Sequence, residues 1–174
     1  MQAKIEEVVS QGRRSQICDI VLRALPDWFG IDESIVDYVS DVRNMPFAVA
    51  IVDDNVVGFV ALMEHNSSTA EIHIMGILPE YHRHGIGRQL VGWCEQFVVA
   101  TEREFLTVKT LDKSRPNESY AKTRLFYTAM GFKPLEVFPL LWDPSNPCLF
   151  MAKYISDRCS AQHSGGTYNE VKPV

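Results

Sequence analysis

One segment, residues 77–90, constrains the fold more than any other part of the chain. Pro79 cannot donate a hydrogen bond to a central β-ladder, so the apolar strand that precedes it must end there. From Gly87 onward, apolar residues recur at helical spacing as far as Val98. The segment therefore predicts a strand that ends in a glycine-spaced turn and leads directly into a helix.

The chemistry of this turn is typical of an anion site. The first amides of a helix have no partner within it, and the helix dipole adds positive potential at the same end. Gly85 and Gly87 let the backbone approach an oxygen-rich ligand, while Arg83, His84 and Arg88 supply charge and hydrogen-bond donors. The segment predicts a phosphate site, with a plain tight turn as the alternative.

The kind of phosphate ligand can be narrowed by comparison with known motifs. A dinucleotide fingerprint requires a third glycine where Leu90 stands, and the Gly-Lys-Ser/Thr end of a P-loop does not occur. The remaining pattern resembles motif A of the GCN5-related N-acetyltransferase (GNAT) superfamily, Gln/Arg-x-x-Gly-x-Gly/Ala between a strand and a long helix. This resemblance implies that the amides around Ile86 hold the pyrophosphate of acetyl-CoA. His82 occupies the usual Gln/Arg position, and Arg83 follows it.

Length and composition indicate one globular domain. The chain has 174 residues, which is enough for a single core over residues 1–155, followed by a polar tail at 156–174. No apolar run approaches membrane-spanning length, and the polar N-terminus predicts a cytoplasmic location. The net charge of −5 argues against nucleic acid as the main partner.

The charge is unevenly distributed. Residues 1–56 contain ten Asp/Glu and five Lys/Arg, whereas residues 57–174 contain twelve of each. This acidic N-terminal third suggests attraction of a cationic acceptor, with ordinary solubilising charge as the alternative. The four cysteines form no Cys-x-x-Cys pair and the five histidines lack ligand spacing, so we expect no metal and no cysteine nucleophile.

The periodicity predicts a mixed α/β fold. Two N-terminal helices come first, one ending before Pro26 and one capped by Asp32. The elements that follow are strands at 47–52, 56–63 and 70–78, the motif helix, a strand at 105–111, a helix at 118–130 that stops at Gly131, and strands at 132–138 and 148–154.

Three further features complete the predicted topology. A first strand is expected near residues 5–9, and a proline-rich loop at 139–147 joins the last two strands. The helix between strands 70–78 and 105–111 makes these two strands parallel. The order resembles the GNAT fold, a mixed central sheet with flanking helices, over about residues 47–155.

The strand at 70–78 carries the first candidate catalytic groups. Alternation puts Glu71, His73, Met75 and Ile77 on one face. A primary amine is protonated at neutral pH, so acetyl transfer needs a proton acceptor. The resemblance places Glu71 where histone-acetyltransferase members carry their general-base glutamate, with His73 as a helper. The alternatives are a solvent-facing carboxylate and a hydrogen-bonded histidine near the core.

Gly76 lies within this strand and indicates either a β-bulge or a close backbone approach. Such a site would suit a cofactor arm that adds itself to the strand edge. Backbone amides near Gly76 and Ile77 are the expected donors to the oxyanion.

The helix at 118–130 carries the candidate acid. Spacing puts Tyr120, Arg124 and Tyr127 on one stripe, away from an apolar face that includes Leu125. Tyr127 opens a segment that resembles Tyr-x-x-x-Gly-Phe of GNAT motif B, which implies that it protonates the departing coenzyme A. The Asn and Ala of the fuller pattern are Tyr120 and Thr123 here.

The acceptor end is marked only by aromatic residues. Trp28 and Phe29 lie between the first two helices, and Trp142 lies between the last two strands. These rings predict either a cage for a cationic or flat substrate or ordinary core packing.

These features together predict an N-acetyltransferase that transfers the acetyl group of acetyl-CoA to a primary amine by direct attack in a ternary complex. The acceptor is a small polyamine or aminoglycoside-like amine, or else a peptide or protein amine. The alternative function is an acyl-CoA-binding sensor with little or no turnover. The sequence is also compatible with a homodimer. The implied cofactor-binding residues are Met75, Ile77, His82, Arg83, His84, Gly85, Ile86, Gly87, Arg88 and Arg124.

Overall fold

A computed structural model describes residues 2–155; the predicted tail at 156–174 lies outside the described residues. The helices and strands are β1 Lys4–Glu7, α1 Gln11–Arg23, α2 Asp32–Asp41, β2 Phe47–Val52, β3 Asn55–Glu64, β4 Thr69–Ile77, α3 Ile86–Ala100, β5 Phe105–Leu111, α4 Glu118–Ala129, β6 Lys133–Asp143 and β7 Asn146–Tyr154. The mixed α/β prediction is confirmed. None of the described helices is long and apolar enough to span a membrane.

The strands form one seven-stranded sheet in the order β1-β2-β3-β4-β5-β7-β6. β4 and β5 are parallel, as predicted from the crossover helix between them, and the other neighbours are antiparallel. The predicted β2–β3 hairpin turns at Asp53 and Asp54, whose φ angles of 47° and 62° lie in the left-handed region that tight hairpins use.

Helices cover the sheet on both faces, and each face has its own core. Leu90 and Val98 of α3 and Phe132 after α4 belong to the core on one face. On the opposite face, α1 and α2 pack over the stacked rings of Phe47 and Phe59, whose centroids are 5.1 Å apart. Each helix buries one apolar side, which is the arrangement that a layered domain requires.

β4 contains a bulge that the sequence pattern did not reveal. Leu62 of β3 pairs with Ile72, whereas its neighbour Ala61 pairs with Ile74, so His73 is an extra residue without an opposite partner. An extra residue bends the strand and shifts the alternation of its side chains.

The predicted common face of β4 is therefore wrong beyond His73. Glu71 and His73 face the α1/α2 layer. His73 contacts Tyr38 of α2, and the negative charge of Glu71 helps to raise the pKa of the same tyrosine. Met75 and Ile77 instead pack against the core beneath α3 and α4. The bulge thus divides the four residues between the two faces of the sheet.

Gly76 permits a close approach of helix to strand. A Cβ at this position would lie 2.9 Å from Val21 Cγ1 of α1 and 3.2 Å from Leu25 Cδ1. The glycine therefore lets α1 sit directly on β4, while the bulge lies three residues earlier.

Two predicted boundaries are corrected. The N-cap of α2 is Ile31, and Asp32 lies in the first turn with its carboxylate 3.0 Å from Arg23, so a competing ion pair holds the carboxylate away from the capping position. The predicted loop at 139–147 is mostly strand, because β6 continues to Asp143 and β7 begins at Asn146. Their ladder is irregular between Phe138 and Asp143.

The predicted orientation of α4 is also wrong. Leu125 is 70% exposed, whereas Tyr127 is buried against Phe132. The reason is that Phe126 packs over Gly87 of α3, where a Cβ would lie 2.9 Å from the ring. The helix ends as predicted, with Gly131 at φ 92° just beyond it.

Gly76→Ala tests the close packing of α1 on β4. We expect a loss of about 1–3 kcal/mol in the free energy of unfolding, because the added methyl group overlaps Val21. Gly92→Ala in α3 is the matched control: its Cβ would meet nothing within 4 Å, so better helix propensity should stabilise the protein by about 0.5–1 kcal/mol. Urea unfolding measures both. Equal stability of the two variants would contradict this packing.

Candidate functional site

A gap opens in the middle of the sheet between β4 and β5. Their parallel ladder runs only from the Thr69–Phe105 pair to the Ile72–Val108 pair. β4 then continues along β3 as far as Ile77, and β5 continues along β7. The bulge at His73 begins where the ladder ends, and a bulge bends its strand, so the two strands diverge from this point.

The β4 side of the gap presents backbone groups that do not pair with β3. The amide of Leu78 donates to Val57 O at 2.9 Å, which makes Ile77 and Gly58 a non-hydrogen-bonded pair. The amide and carbonyl of Ile77 therefore point away from β3, into the gap. Because the alternation repeats every two residues, the amide and carbonyl of Met75 also point into the gap.

The β5 side is built in the same way. The amide of Asp112 donates to Pro147 O at 2.9 Å, so the backbone groups of Leu111 point away from β7 and into the gap. Arg124 of α4 donates to Leu111 O at 2.8 Å. The predicted cofactor residue Arg124 thus lies at the gap and fastens α4 to its β5 edge.

His82 contacts the β4 edge of the gap, as Arg124 contacts the β5 edge. Its Nε2 lies 2.7 Å from Ile77 O. Because a carbonyl only accepts hydrogen bonds, the imidazole must carry its proton on Nε2. His82 therefore orients the end of β4 through a backbone contact, a role that the motif alone did not indicate.

The N-terminus of α3 lies beside the gap. Gly85, at φ 82°, is the N-cap, and a Cβ there would meet nothing within 4 Å. The first intrahelical bond runs from Gln89 N to Gly85 O, which leaves the amides of residues 86–88 without a helical acceptor. A Cβ at Gly87 would lie 3.4 Å from Ile77 Cδ1, so this helix end adjoins the end of β4.

The predicted basic residues surround this helix end. Arg83, His84 and Arg88 are all exposed. Their side chains are free to reach a ligand at the N-terminus of α3, where the helix dipole favours an anion. The structure therefore brings the predicted basic residues together around the N-terminus of α3.

Tyr127 lies on the α4 side with only 5% of its surface exposed. Its ring packs edge-on against Phe126 and Phe132, with centroids 5.2 and 5.4 Å away. Burial raises the pKa of the phenol well above its usual value, and the neighbouring Cys94 and Tyr120 add to the shift. The hydroxyl therefore keeps its proton throughout the neutral range.

No motif in the sequence points to Thr110 of β5. Its Oγ1 is the one enclosed side-chain polar atom without a partner in residues 2–155. It lies beyond the last β4–β5 pair, where the gap is open. An enclosed hydroxyl without a partner lowers stability, because its lost hydration is not compensated.

Glu71 is buried at the foot of the gap with 4% exposure. Its Oε2 lies 2.7 Å from His65 Nε2 and 2.5 Å from Lys109 Nζ. Two donors on one oxygen compensate the cost of burying the carboxylate. His65 is only partly covered, so it links the buried carboxylate to solvent.

His73 is held from the α2 side. Its Nε2 lies 3.1 Å from Asp41 Oδ2, and its ring meets Tyr38 edge-on at 5.5 Å. Burial raises the pKa of Tyr38, and the charges of Asp41 and Glu71 raise it further. The structure therefore brings Glu71 and His73 to one polar region. The sequence could not have revealed Tyr38, Asp41, His65 and Lys109 as members of this region, since no motif joins them to it.

The predicted acceptor residues are only partly brought together. Phe29 contacts Tyr38 edge-on at 6.1 Å, and Trp28 contacts His82 at 5.6 Å. Trp142 is 43% exposed, and within the described part of the chain no ring contact joins it to Trp28 or Phe29. An aromatic cage of all three rings is therefore not formed.

Comparison with known proteins agrees with this architecture. The family described as Acetyltransferase (GNAT) domain matches residues 43–134, more than half of the chain. No curated protein sequence matches.

Solved structures share the fold. A Desulfovibrio desulfuricans protein described as an acetyltransferase of the GNAT family superposes with a TM-score of 0.75, at 17% identity, over 89% of this chain and 100% of its own. An aminoglycoside 6'-N-acetyltransferase in complex with coenzyme A gives a TM-score of 0.70, at 21% identity, over 89% and 98%. The Escherichia coli ribosomal-protein-S18-alanine N-acetyltransferase gives 0.69, at 14% identity, over 94% and 100%.

The sheet with its flanking helices is thus the GNAT fold, and the predicted family is confirmed. The family match covers the gap between β4 and β5, the turn before α3 and the candidate acid on α4. This chain belongs to the GNAT family of acetyltransferases.

Proposed function

We propose that this protein is an N-acetyltransferase that transfers the acetyl group of acetyl-CoA to a primary amine by direct attack in a ternary complex. The observation that carries the proposal is the gap between β4 and β5, into which the backbone amides of Met75 and Ile77 point, next to the free N-terminus of α3. A protein of the same fold has been solved with coenzyme A, which supports the same class of donor here.

The anionic end of the donor fits the turn before α3. The free amides of residues 86–88 would hold the pyrophosphate, and Gly85 leaves open space beside them. Arg83, His84 and Arg88 would add charge-assisted hydrogen bonds. This arrangement needs no side chain at His82, which is already bound to the backbone of β4.

The extended arm of the donor fits the gap. An extended chain with amide groups pairs with an open strand edge as an additional strand would, and here Met75 and Ile77 present that edge. Acetyl-CoA supplies its acetyl group as a thioester, and the free amide of Ile77 is the donor we propose for the oxyanion.

Glu71 is the proton acceptor we propose for the amine. It lies at the foot of the gap, where the β4–β5 ladder ends, and it matches the family position of the base. The contact with His65, which is partly exposed, gives the proton a route to solvent. His73 and Asp41 form a second pair, one residue beyond the end of the ladder, that orients the approaching amine.

Tyr127 is the proton donor we propose for the departing thiolate. Burial keeps its phenol protonated at neutral pH, so a proton is always present to give. Because burial raises the pKa of this phenol above that of a thiol, about 8.5, the phenol stabilises the developing thiolate by donating a hydrogen bond, and net transfer of its proton requires that the tyrosinate regain a proton from solvent.

The acceptor we propose is a small cationic amine that enters from the α1/α2 side. Glu71, His73 and Tyr38 all face this side, and Asp41 adds an exposed carboxylate. The α1/α2 layer that covers it, residues 11–44, contains six Asp/Glu and four Lys/Arg. Solved proteins of this fold act on an aminoglycoside or on a ribosomal protein, so a protein amine is the alternative acceptor.

Thiol release from acetyl-CoA with a panel of amines tests the reaction. We expect release with small polyamines or aminoglycosides, and mass spectrometry should show a product heavier by one acetyl group. Tyr127→Phe should lower kcat by at least about 100-fold, because the proton donor is lost, while the Kd for coenzyme A changes less than about threefold.

Leu125→Ala is the control for this substitution, since Leu125 lies on the same helix and is largely exposed; its kcat should be that of the unsubstituted protein. Coenzyme A binding without thiol release from any amine would favour a sensor over an enzyme. An unchanged kcat in Tyr127→Phe would remove Tyr127 from the mechanism.

The pH profile distinguishes Glu71 from His73. A base must lose its proton to act, so kcat/KM should rise with pH in the unsubstituted enzyme. Glu71→Gln keeps the shape of the side chain and should flatten this rise. His73→Gln should lower kcat/KM but retain the rise.

Thermal unfolding of Glu71→Gln must be measured alongside, because Lys109 loses its charged partner. If Glu71→Gln folds and keeps the original pH profile of kcat/KM, Glu71 is not the base. A flat profile in His73→Gln would then identify His73 as the base.

A further inference from the structure

The positions at which the motifs depart from the GNAT pattern meet at one residue. His82 replaces the usual Gln or Arg of motif A, and Tyr120 and Thr123 replace the Asn and Ala of motif B. All three contact Trp28, which lies in the connection between α1 and α2. The three residues that differ from the family pattern therefore share one contact partner, which suggests a common structural role.

Two hydrogen bonds join Trp28 to α4, one at its indole ring and one at its backbone carbonyl. Its indole Nε1 donates to Thr123 Oγ1 at 3.0 Å, and Thr123 in turn donates to Ser119 O at 3.2 Å. The Tyr120 hydroxyl donates to the carbonyl of Trp28 at 2.9 Å. Both the ring and the backbone of Trp28 are thereby fixed to the helix that carries the candidate acid.

Trp28 also reaches the opposite edge of the gap. Its ring meets His82 edge-on at a centroid distance of 5.6 Å, and His82 is bound to Ile77 O of β4. α4 is itself fastened to β5 through Arg124 and Leu111 O. Trp28 therefore bridges the two walls between which the donor arm would lie.

The next residue continues the contacts toward the acceptor side. Phe29 meets Tyr38 at 6.1 Å, Tyr38 meets His73 at 5.5 Å, and His73 is bound to Asp41. Adjacent residues of one short connection thus touch the donor gap and the acceptor region.

We propose that Trp28 is a positioning residue that couples the two substrates: occupation of the gap by acetyl-CoA fixes the 25–31 connection through His82, Tyr120 and Thr123, and so prepares the acceptor region. The inference rests on the proposed acetyl-CoA site. Coupling of this kind is reciprocal, so a bound acceptor amine also tightens the binding of coenzyme A.

Thr123→Val tests the coupling, because valine keeps the shape of threonine and loses the acceptor for the indole. Hydrogen exchange of the 25–31 segment is measured with and without coenzyme A, since the amides of Trp28 and Phe29 are both bonded to Leu25 O. In the unsubstituted protein coenzyme A should slow this exchange. In Thr123→Val the slowing should be lost, and kcat/KM for the amine should fall about five- to tenfold, the size expected for one hydrogen bond.

Thr123→Ser is the matched control, because serine retains the hydroxyl and should restore both the slowed exchange and kcat/KM. The Tm and the Kd for coenzyme A should be the same in both variants, which separates positioning from a loss of structure. Equal exchange and equal kcat/KM in Thr123→Val and Thr123→Ser would overturn the inference. A failure of coenzyme A to bind the unsubstituted protein, measured by calorimetry, would instead count against the proposed donor site.

Discussion

The loss of pairing between β4 and β5 beyond Ile72 is the constraint on which the rest of the site depends. One extra residue, His73, ends the regular alternation of β4 at the point where the parallel ladder stops. Two strands of a single sheet then run apart, each still supported by its outer neighbour. The opening is therefore stable without a ligand, because β3 and β7 continue to satisfy the other edge of each strand.

The same bulge distributes the chemistry between two faces. The side chains of Glu71 and His73 point to the α1/α2 layer, while those of Met75 and Ile77 belong to the opposite core. Between them the backbone of β4 faces the gap. A ligand in the gap thus meets backbone groups, and a second ligand from the α1/α2 side meets titratable side chains. This separation fits a reaction in which a common donor meets a variable acceptor, since a site that uses backbone groups for the donor leaves side chains to set acceptor specificity.

The sequence predicted those parts of the structure that local rules determine. The β2–β3 hairpin, the crossover that makes β4 and β5 parallel, the turn before α3 and the end of α4 at Gly131 each follow from a few neighbouring residues. The bulge at His73 leaves no such local mark, because an extra residue in an apolar strand looks like any other. The face of α4 was mispredicted since Phe126 packs into the space left by Gly87, a contact between distant parts of the chain.

The candidate site shows the same division between local and distant signals. The basic, glycine-spaced turn before α3 was predictable because its glycines and basic residues are adjacent in sequence. The partners of Glu71 and His73 were not, because Lys109 and Asp41 lie 38 and 32 residues away and meet them only through the sheet and α2. The contacts of Trp28 with Tyr120 and Thr123 span 92 and 95 residues, and only the fold could reveal them.

The amide resonances of Met75 and Ile77 test the central claim most directly, because both amides point into the gap. In a nitrogen-15 NMR titration with coenzyme A, these two amides and those of residues 86–88 should show the largest shifts, while the amide of Gly76, which faces β3, should move little. Shifts confined to other parts of the chain would contradict the account, as would coenzyme A binding that leaves the amides of Met75 and Ile77 unchanged.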